Sequence, residues 1–128
     1  MLKVSFDMKA VQDNVNRILN KKIEVAKYTE VKDEIAGEYA KAISRYVPYK
    51  TGKLLNSAKV EDGAITYSAK CNRPGGRFDY AAVQYYTPFD NRSTPNTYDH
   101  WNKHLTTAER EEFSNDVKDI IIEMMNNG

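Results

Sequence analysis

The chain has 128 residues, with 19 Lys and Arg against 18 Asp and Glu for a formal net charge of +1; this is the size of one domain, without the overall field that draws a protein onto nucleic acid or an anionic membrane. A hydrophobic fraction of 41% and a charged fraction of 29% are ordinary for a folded protein, and a mean hydropathy of -0.71 requires a well-hydrated surface. The single Cys71 excludes an intrachain disulfide and a zinc site built on two cysteines; the absence of a signal-peptide-like apolar run and of any window near the roughly 20 apolar residues of a membrane span makes a soluble, cytoplasmically synthesised protein the expectation.

In chain order, "LKVSF" alternates Leu2, Val4 and Phe6 against Lys3 and Ser5, the period of a half-buried strand, and Asp7 is placed to cap a helix. Val11, Val15, Ile18 and Leu19 then recur at helical spacing, and Val31, Ile35, Tyr39, Ala42, Ile43 and Tyr46 repeat it; the intervening "NKKIEVAKYTE" has neither Gly nor Pro, so one bent helix and a helix pair are both compatible with the pattern. Pro48 biases Val47 away from the α region and sets the helix end at about Tyr46 or Val47. In "KTGKLLNS", Gly52 supplies conformational freedom for a turn, and Leu54 and Leu55 return the chain to the core. Asp62-Gly63 between "SAKV" and "AITYSAK" predicts a hairpin, with Ile65 and Tyr67 on one face and Thr66 and Ser68 on the other.

Residues 71 to 99 turn to Gly, Pro, Asn, Thr and aromatics. They read as an extended loop region around "YAAVQYY", which the pattern allows as a strand or a helical turn. Thr106 and Glu109 stand at capping-box spacing before Phe113, Val117, Ile120, Ile121 and Met124 on one helical face, with residues 126 to 128 as the stop. The expected fold is α+β: one domain over residues 1 to 128, in which a small, mostly antiparallel sheet is packed by a long N-terminal helical segment and a C-terminal helix.

Chemistry-bearing groups are sparse. His100 and His104 would share a face if "HWNKH" were helical, yet the zincin pattern needs Glu where Trp101 stands, so no metal is expected. Cys71 lacks an activating motif. "RPGGR" lacks the Gly-Lys-Ser/Thr end of a phosphate loop, Glu61 and Asp62 fall in a tight turn, and Glu109, Glu111 and Glu112 suit the start of a helix. Neither a cofactor nor a catalytic residue is expected. The nine tyrosines and Trp101 carry more information: Phe78, Tyr80, Tyr85, Tyr86, Phe89, Tyr98 and Trp101 fall in the irregular region, where an apolar body with a polar tip suits protein contacts.

"VPYKTGKLLNS" (47 to 57), "ITYSAK" (65 to 70), "YAAVQYY" (80 to 86) and "TYDHW" (97 to 101), in this order ahead of a terminal helix, resemble the minor capsid or neck proteins of long-tailed phages. That family passes from a Val-Pro-x-x-Thr-Gly-x-Leu turn through a hairpin to a Tyr-Ala-x-x-Gln-Tyr piece and a His-Trp; this chain departs from it in the longer "KCNRPGGRFDYAAV". The resemblance implies a non-catalytic structural protein of the virion, made in the host cytoplasm. It would form a cyclic ring, hexamer or dodecamer, that joins the DNA-filled head to the tail. Its partners would be copies of itself, the connector or stopper, and the tail terminator or tail tube proteins, with DNA only as passing cargo and no membrane. In this reading Pro48, Thr51, Gly52, Lys53 and Leu54 shape the helix-to-strand turn, and the seven aromatics meet neighbouring subunits. Near-neutral charge suits a lumen through which DNA slides. A tail terminator ring is the alternative within the virion. A small nucleic-acid-binding regulatory module is the alternative outside it, with "NKK" at 20 to 22 and Arg73 and Arg77 as its modest basic features.

Overall fold

A computed structural model describes residues 2–47, 53–73, 76–86 and 100–127, without the side chains of residues 53, 70–79 and 83. The element order is β1 (Leu2–Val4), α1 (Met8–Leu19), α2 (Val25–Glu30), α3 (Lys32–Ile43), a 3₁₀ turn (Ser44–Tyr46), α4 (Lys53–Asn56), β2 (Ala58–Glu61), β3 (Ala64–Tyr67), β4 (Lys70–Arg73), β5 (Gly76–Asp79), α5 (Tyr80–Tyr86), a second 3₁₀ turn (Trp101–Lys103) and α6 (Thr107–Asn127). The fold is α+β.

The N-terminal helical segment is divided in three. Asp7 caps α1 by accepting from the Ala10 N–H at 3.1 Å, and Asn20 ends it in the left-handed region at φ 50°. The N–H groups of Asn20 and Lys21 return to the Arg17 and Asn16 carbonyls at 3.1 Å each, an arrangement that usually employs Gly and that Asn tolerates. Between α2 and α3 only Val31 departs from helical geometry, at φ -113° and ψ 20°. Its N–H still donates to the Tyr28 carbonyl at 3.2 Å, and its own carbonyl accepts from Ile35 at 3.0 Å, so these two helices form a bent pair. Val47 is extended, at φ -75° and ψ 126°, as the following proline demands. Pro48, Thr51 and Gly52 lie outside the described residues. Lys53 opens α4, and Leu54 is buried in the core.

β1 and β2 flank β3 in an antiparallel sheet of order β1-β3-β2. Leu2 and Ala58 pair with Tyr67, and Val4 and Val60 with Ile65; α3 packs against both β2 and β3. Thr66 lies on the opposite face between Lys3 and Lys59, yet it too is buried, so the central strand is shielded on both faces. The strand expected through Phe6 stops at Val4. Phe6 instead leaves the sheet and stacks on Tyr39, with ring centroids 4.7 Å apart.

The β2–β3 turn has Asp62 at φ 50° and Gly63 at φ 76°, the two positive angles of a type I′ hairpin. The start of α3 holds it: the Lys32 Nζ stands 2.5 Å from the Asp62 Oδ1, and the Gly63 N–H donates to the Asp33 Oδ1 at 2.7 Å. A Cβ on Gly63 would meet the Lys32 Cδ at 3.4 Å, an ordinary contact, so the cost of Gly63→Ala is conformational. The variant is expected to lose about 1–2 kcal/mol, measured by urea unfolding; an unchanged midpoint would contradict the turn.

The extended loop region expected at 71 to 99 requires correction. Within it β4 and β5 pair as antiparallel strands, with Lys70 opposite Asp79, Cys71 opposite Phe78 and Arg73 opposite Gly76. A ladder of backbone hydrogen bonds does not need apolar alternation, which is why polar "KCNR" and "GRFD" pair despite their loop-like composition. Of the strand and the helical turn that "YAAVQYY" allows, the chain forms the helix α5. Residues 87 to 99 lie outside the described residues.

The reciprocal capping box forms at the start of α6: the Thr106 N–H donates to the Glu109 Oε1 at 2.9 Å, and the Glu109 N–H to the Thr106 Oγ1 at 3.1 Å. Glu109 also takes a bond of 2.5 Å from the Tyr46 hydroxyl and pairs with Arg45 at 2.6 Å. These donors hold its carboxyl below the usual range, the Tyr46 bond contributing most. α6 then packs on α1 and α3, burying Phe113, Ser114, Val117 and Ile121. One hydrophobic cluster runs from Leu2 through Ile35, Ile65 and Trp101 to Ile121.

Candidate functional site: an aromatic stem

The seven aromatics expected at subunit contacts fall into three groups. Phe89 and Tyr98 lie outside the described residues, and Phe78 occupies β5 without a described side chain. Tyr85 and Trp101 are core residues: Trp101 is fully buried and Tyr85 is 7% exposed. Their expected role as contacts is corrected, because a side chain already enclosed by its own fold offers no surface to a neighbour. Tyr80 is half-buried, and Tyr86, at 62% exposed, presents its ring outward.

These rings form a graded stem. Trp101 meets Tyr67 of β3 edge-on at 5.2 Å and Tyr85 of α5 at 4.8 Å. Tyr85 in turn contacts His100 at 4.7 Å and Tyr86 at 5.0 Å, and Tyr86 faces His100 at 5.6 Å. Edge-to-face pairs of this kind contribute about 0.5–1.5 kcal/mol each beyond the area they bury. The line passes from the sheet to solvent in one direction.

Asn102 fastens the stem to the helices. Its side-chain Oδ1 accepts from the Tyr85 hydroxyl, and its backbone carbonyl accepts from the Tyr39 hydroxyl at 3.2 Å. The His100 N–H donates to the Tyr85 carbonyl at 2.8 Å, so the chain leaving α5 and the chain returning at His100 are joined by a backbone bond. Periodicity does not reveal Asn102; nothing local announces that this one residue serves two tyrosine hydroxyls, one through its side chain and one through its backbone carbonyl.

The described histidines do not form the shared helical face considered from sequence. His100 is in the left-handed region at φ 44°, and His104 caps the far end of the 3₁₀ turn. Among the described residues no group of three His, Cys, Asp or Glu is arranged to hold a metal, and none of their helices is long and apolar enough to cross a membrane.

Comparison with family models, curated proteins and solved structures found no match. The site therefore rests on its own geometry. Its buried phenols are all shifted upward: burial pushes Tyr67 up to about 12, with the Trp101 N–H partly offsetting it, and burial likewise raises Tyr85 and Tyr39, each eased by Asn102. The Trp101 Nε1 makes no bond of full hydrogen-bonding geometry, so its effect on Tyr67 is that of a nearby dipole.

A raised phenol pKa in the folded state means that the unfolded chain loses the proton first. The associated stability is intact below the ordinary value of about 10 and is lost as pH rises toward 12. Chemical unfolding followed by fluorescence from pH 8 to 12 is therefore expected to show a steep fall above pH 10. The Tyr67→Phe variant should show a shallower fall over the same interval; an identical slope would remove Tyr67 from the account.

Proposed function

We propose that this chain is a structural, non-catalytic subunit of a phage neck: a ring component between the DNA-filled head and the tail, located in the virion and surrounding DNA only as it passes. What supports the reading is that the motifs carrying the resemblance converge in space. Tyr67 from "ITYSAK", Tyr85 from "YAAVQYY" and Trp101 from "TYDHW" meet in consecutive ring contacts, so their order along the chain corresponds to one packed unit. That unit displays Tyr86 and His100 at its outer end, where the segment of residues 87 to 99 begins and finishes.

Ring assembly calls for a rigid core that fixes the angle between neighbours and for protruding groups that reach them. Here the sheet and α3–α6 packing supply the first, and the outer end of the stem supplies the second. The partners are copies of the same chain in cyclic arrangement, with a connector or stopper on one side and a terminator or tube protein on the other.

The test is made on particles. Mass spectrometry of purified virions should detect the polypeptide, labelled antibody should decorate the head-to-tail junction, and deletion of the gene should yield filled heads and separate tails. Complete particles lacking the chain, or joined normally without it, would overturn the reading.

A further inference from the structure

A pocket of about 570 Å³ lies between the segment Ser5–Asp7, the first turns of α1, the second 3₁₀ turn and α6. Its size falls within the roughly 300–1,000 Å³ of ligand sites. Three rings form its floor: Phe6 and Tyr39 at 4.7 Å, Tyr39 and Phe113 at 5.4 Å, and Phe6 and Phe113 at 6.1 Å. Ser114, only 2% exposed, also lines the pocket, and its hydroxyl takes no part in the hydrogen bonds found among the described residues.

The rim is electrically asymmetric. Lys103 and Arg110 stand on it, both exposed and neither engaged in an ion pair among the described residues. The Arg110 charge is felt at the Tyr39 hydroxyl, where it eases the upward shift that burial causes. Asp7 occupies another part of the rim, where its carboxylate is engaged in capping α1 and repels a second anion.

We propose that this pocket docks a partner polypeptide that inserts an aromatic or branched apolar side chain between Phe6, Tyr39 and Phe113 and lays an adjacent carboxylate against Lys103 and Arg110. Charge complementarity selects the carboxylate and its side of the rim. The partner is a polypeptide rather than a free anion because both cations stand in solvent, where an ion pair alone contributes little. The apolar anchor and the carboxylate must arrive on one tethered chain to reinforce each other. This inference rests on the pocket's chemistry and stands independently of the neck assignment.

Titration of the isotopically labelled full-length chain with N-acetyl-Phe-Asp-amide, followed by NMR, tests it. Saturable shifts are expected at the rings of Phe6, Tyr39 and Phe113 and at the Ser114 amide. N-acetyl-Phe-Asn-amide, N-acetyl-Ala-Asp-amide and phenylacetate should each bind about tenfold more weakly or worse. A variant combining Lys103→Glu and Arg110→Glu should lose the preference for Asp and favour N-acetyl-Phe-Lys-amide. Should that variant fail to fold, Lys103→Gln with Arg110→Gln should abolish the Asp-over-Asn preference. No saturation at those signals, equal binding of the Asn and Asp peptides, or phenylacetate binding as tightly as Phe-Asp would each overturn the proposal, and none of these outcomes bears on whether the chain is found in virions.

Discussion

Replacing Trp101 with alanine is expected to destabilise the protein by about 3–5 kcal/mol and to lower its thermal midpoint by roughly 10–20 °C. The side chain is fully buried and touches Tyr67 on the sheet and Tyr85 on α5, so its removal leaves a cavity at the one point where the sheet, α5 and the second 3₁₀ turn meet. Domains of this size are stable by only about 5–15 kcal/mol; a loss this large consumes a third of the total or more. Tyr86→Ala is the matched control. Its ring is 62% exposed, and the expected stability change is within about 0.5 kcal/mol. On the neck reading, however, Tyr86→Ala should reduce the yield of joined particles while the isolated chain remains folded. Urea titration of both variants with complementation of a gene deletion separates the two roles. Equal stability losses, or normal particle assembly by Tyr86→Ala, would remove the distinction between the buried and displayed ends of the stem.

Tyr28→Ala is expected to have a comparable effect, about 3–5 kcal/mol, whereas Tyr28→Phe should cost about 1 kcal/mol. Tyr28 is fully buried on α2, and its hydroxyl donates to the Asn16 Oδ1 at 2.7 Å. The same Asn16 oxygen accepts from the Ile23 N–H at 3.2 Å. One amide on α1 thus secures both the connection that leaves it and the helix that follows. The phenol pKa is raised chiefly by burial, so the ring is held neutral throughout the ordinary pH range. Urea unfolding of the two substitutions divides ring from hydroxyl: a Phe variant as unstable as the Ala variant would mean that the polar buckle, rather than the packing of the ring, carries the stability.

Features governed by a few neighbouring residues could be read in advance. The Asp62-Gly63 turn, the Thr106 and Glu109 capping box and the helix end before Pro48 each follow from backbone geometry within three or four positions. The division of the N-terminal helical segment stayed open because Asn20 performs, in the left-handed region, the task usually associated with Gly. β4 and β5 were missed for a different reason: their pairing is made by backbone groups, and "KCNR" and "GRFD" carry none of the apolar alternation that betrays a half-buried strand. The aromatics were recognised as important without being sorted. Tyr and Trp suit either a core or a contact, so only tertiary placement separates Trp101 and Tyr85, which hold the fold together, from Tyr86, which faces outward. Phe6, Tyr39, Phe113 and Ser114 come from three distant stretches, and nothing local announces that they enclose a common space.

The bond from the His100 N–H to the Tyr85 carbonyl has a consequence for how such a molecule diversifies. It ties off the intervening stretch at its base, so the entropy of closing that stretch depends only logarithmically on its length: doubling it adds roughly 0.6 kcal/mol. Selection is therefore free to lengthen, shorten or rewrite those residues for a new neighbour, while the folded body beneath is inherited unchanged.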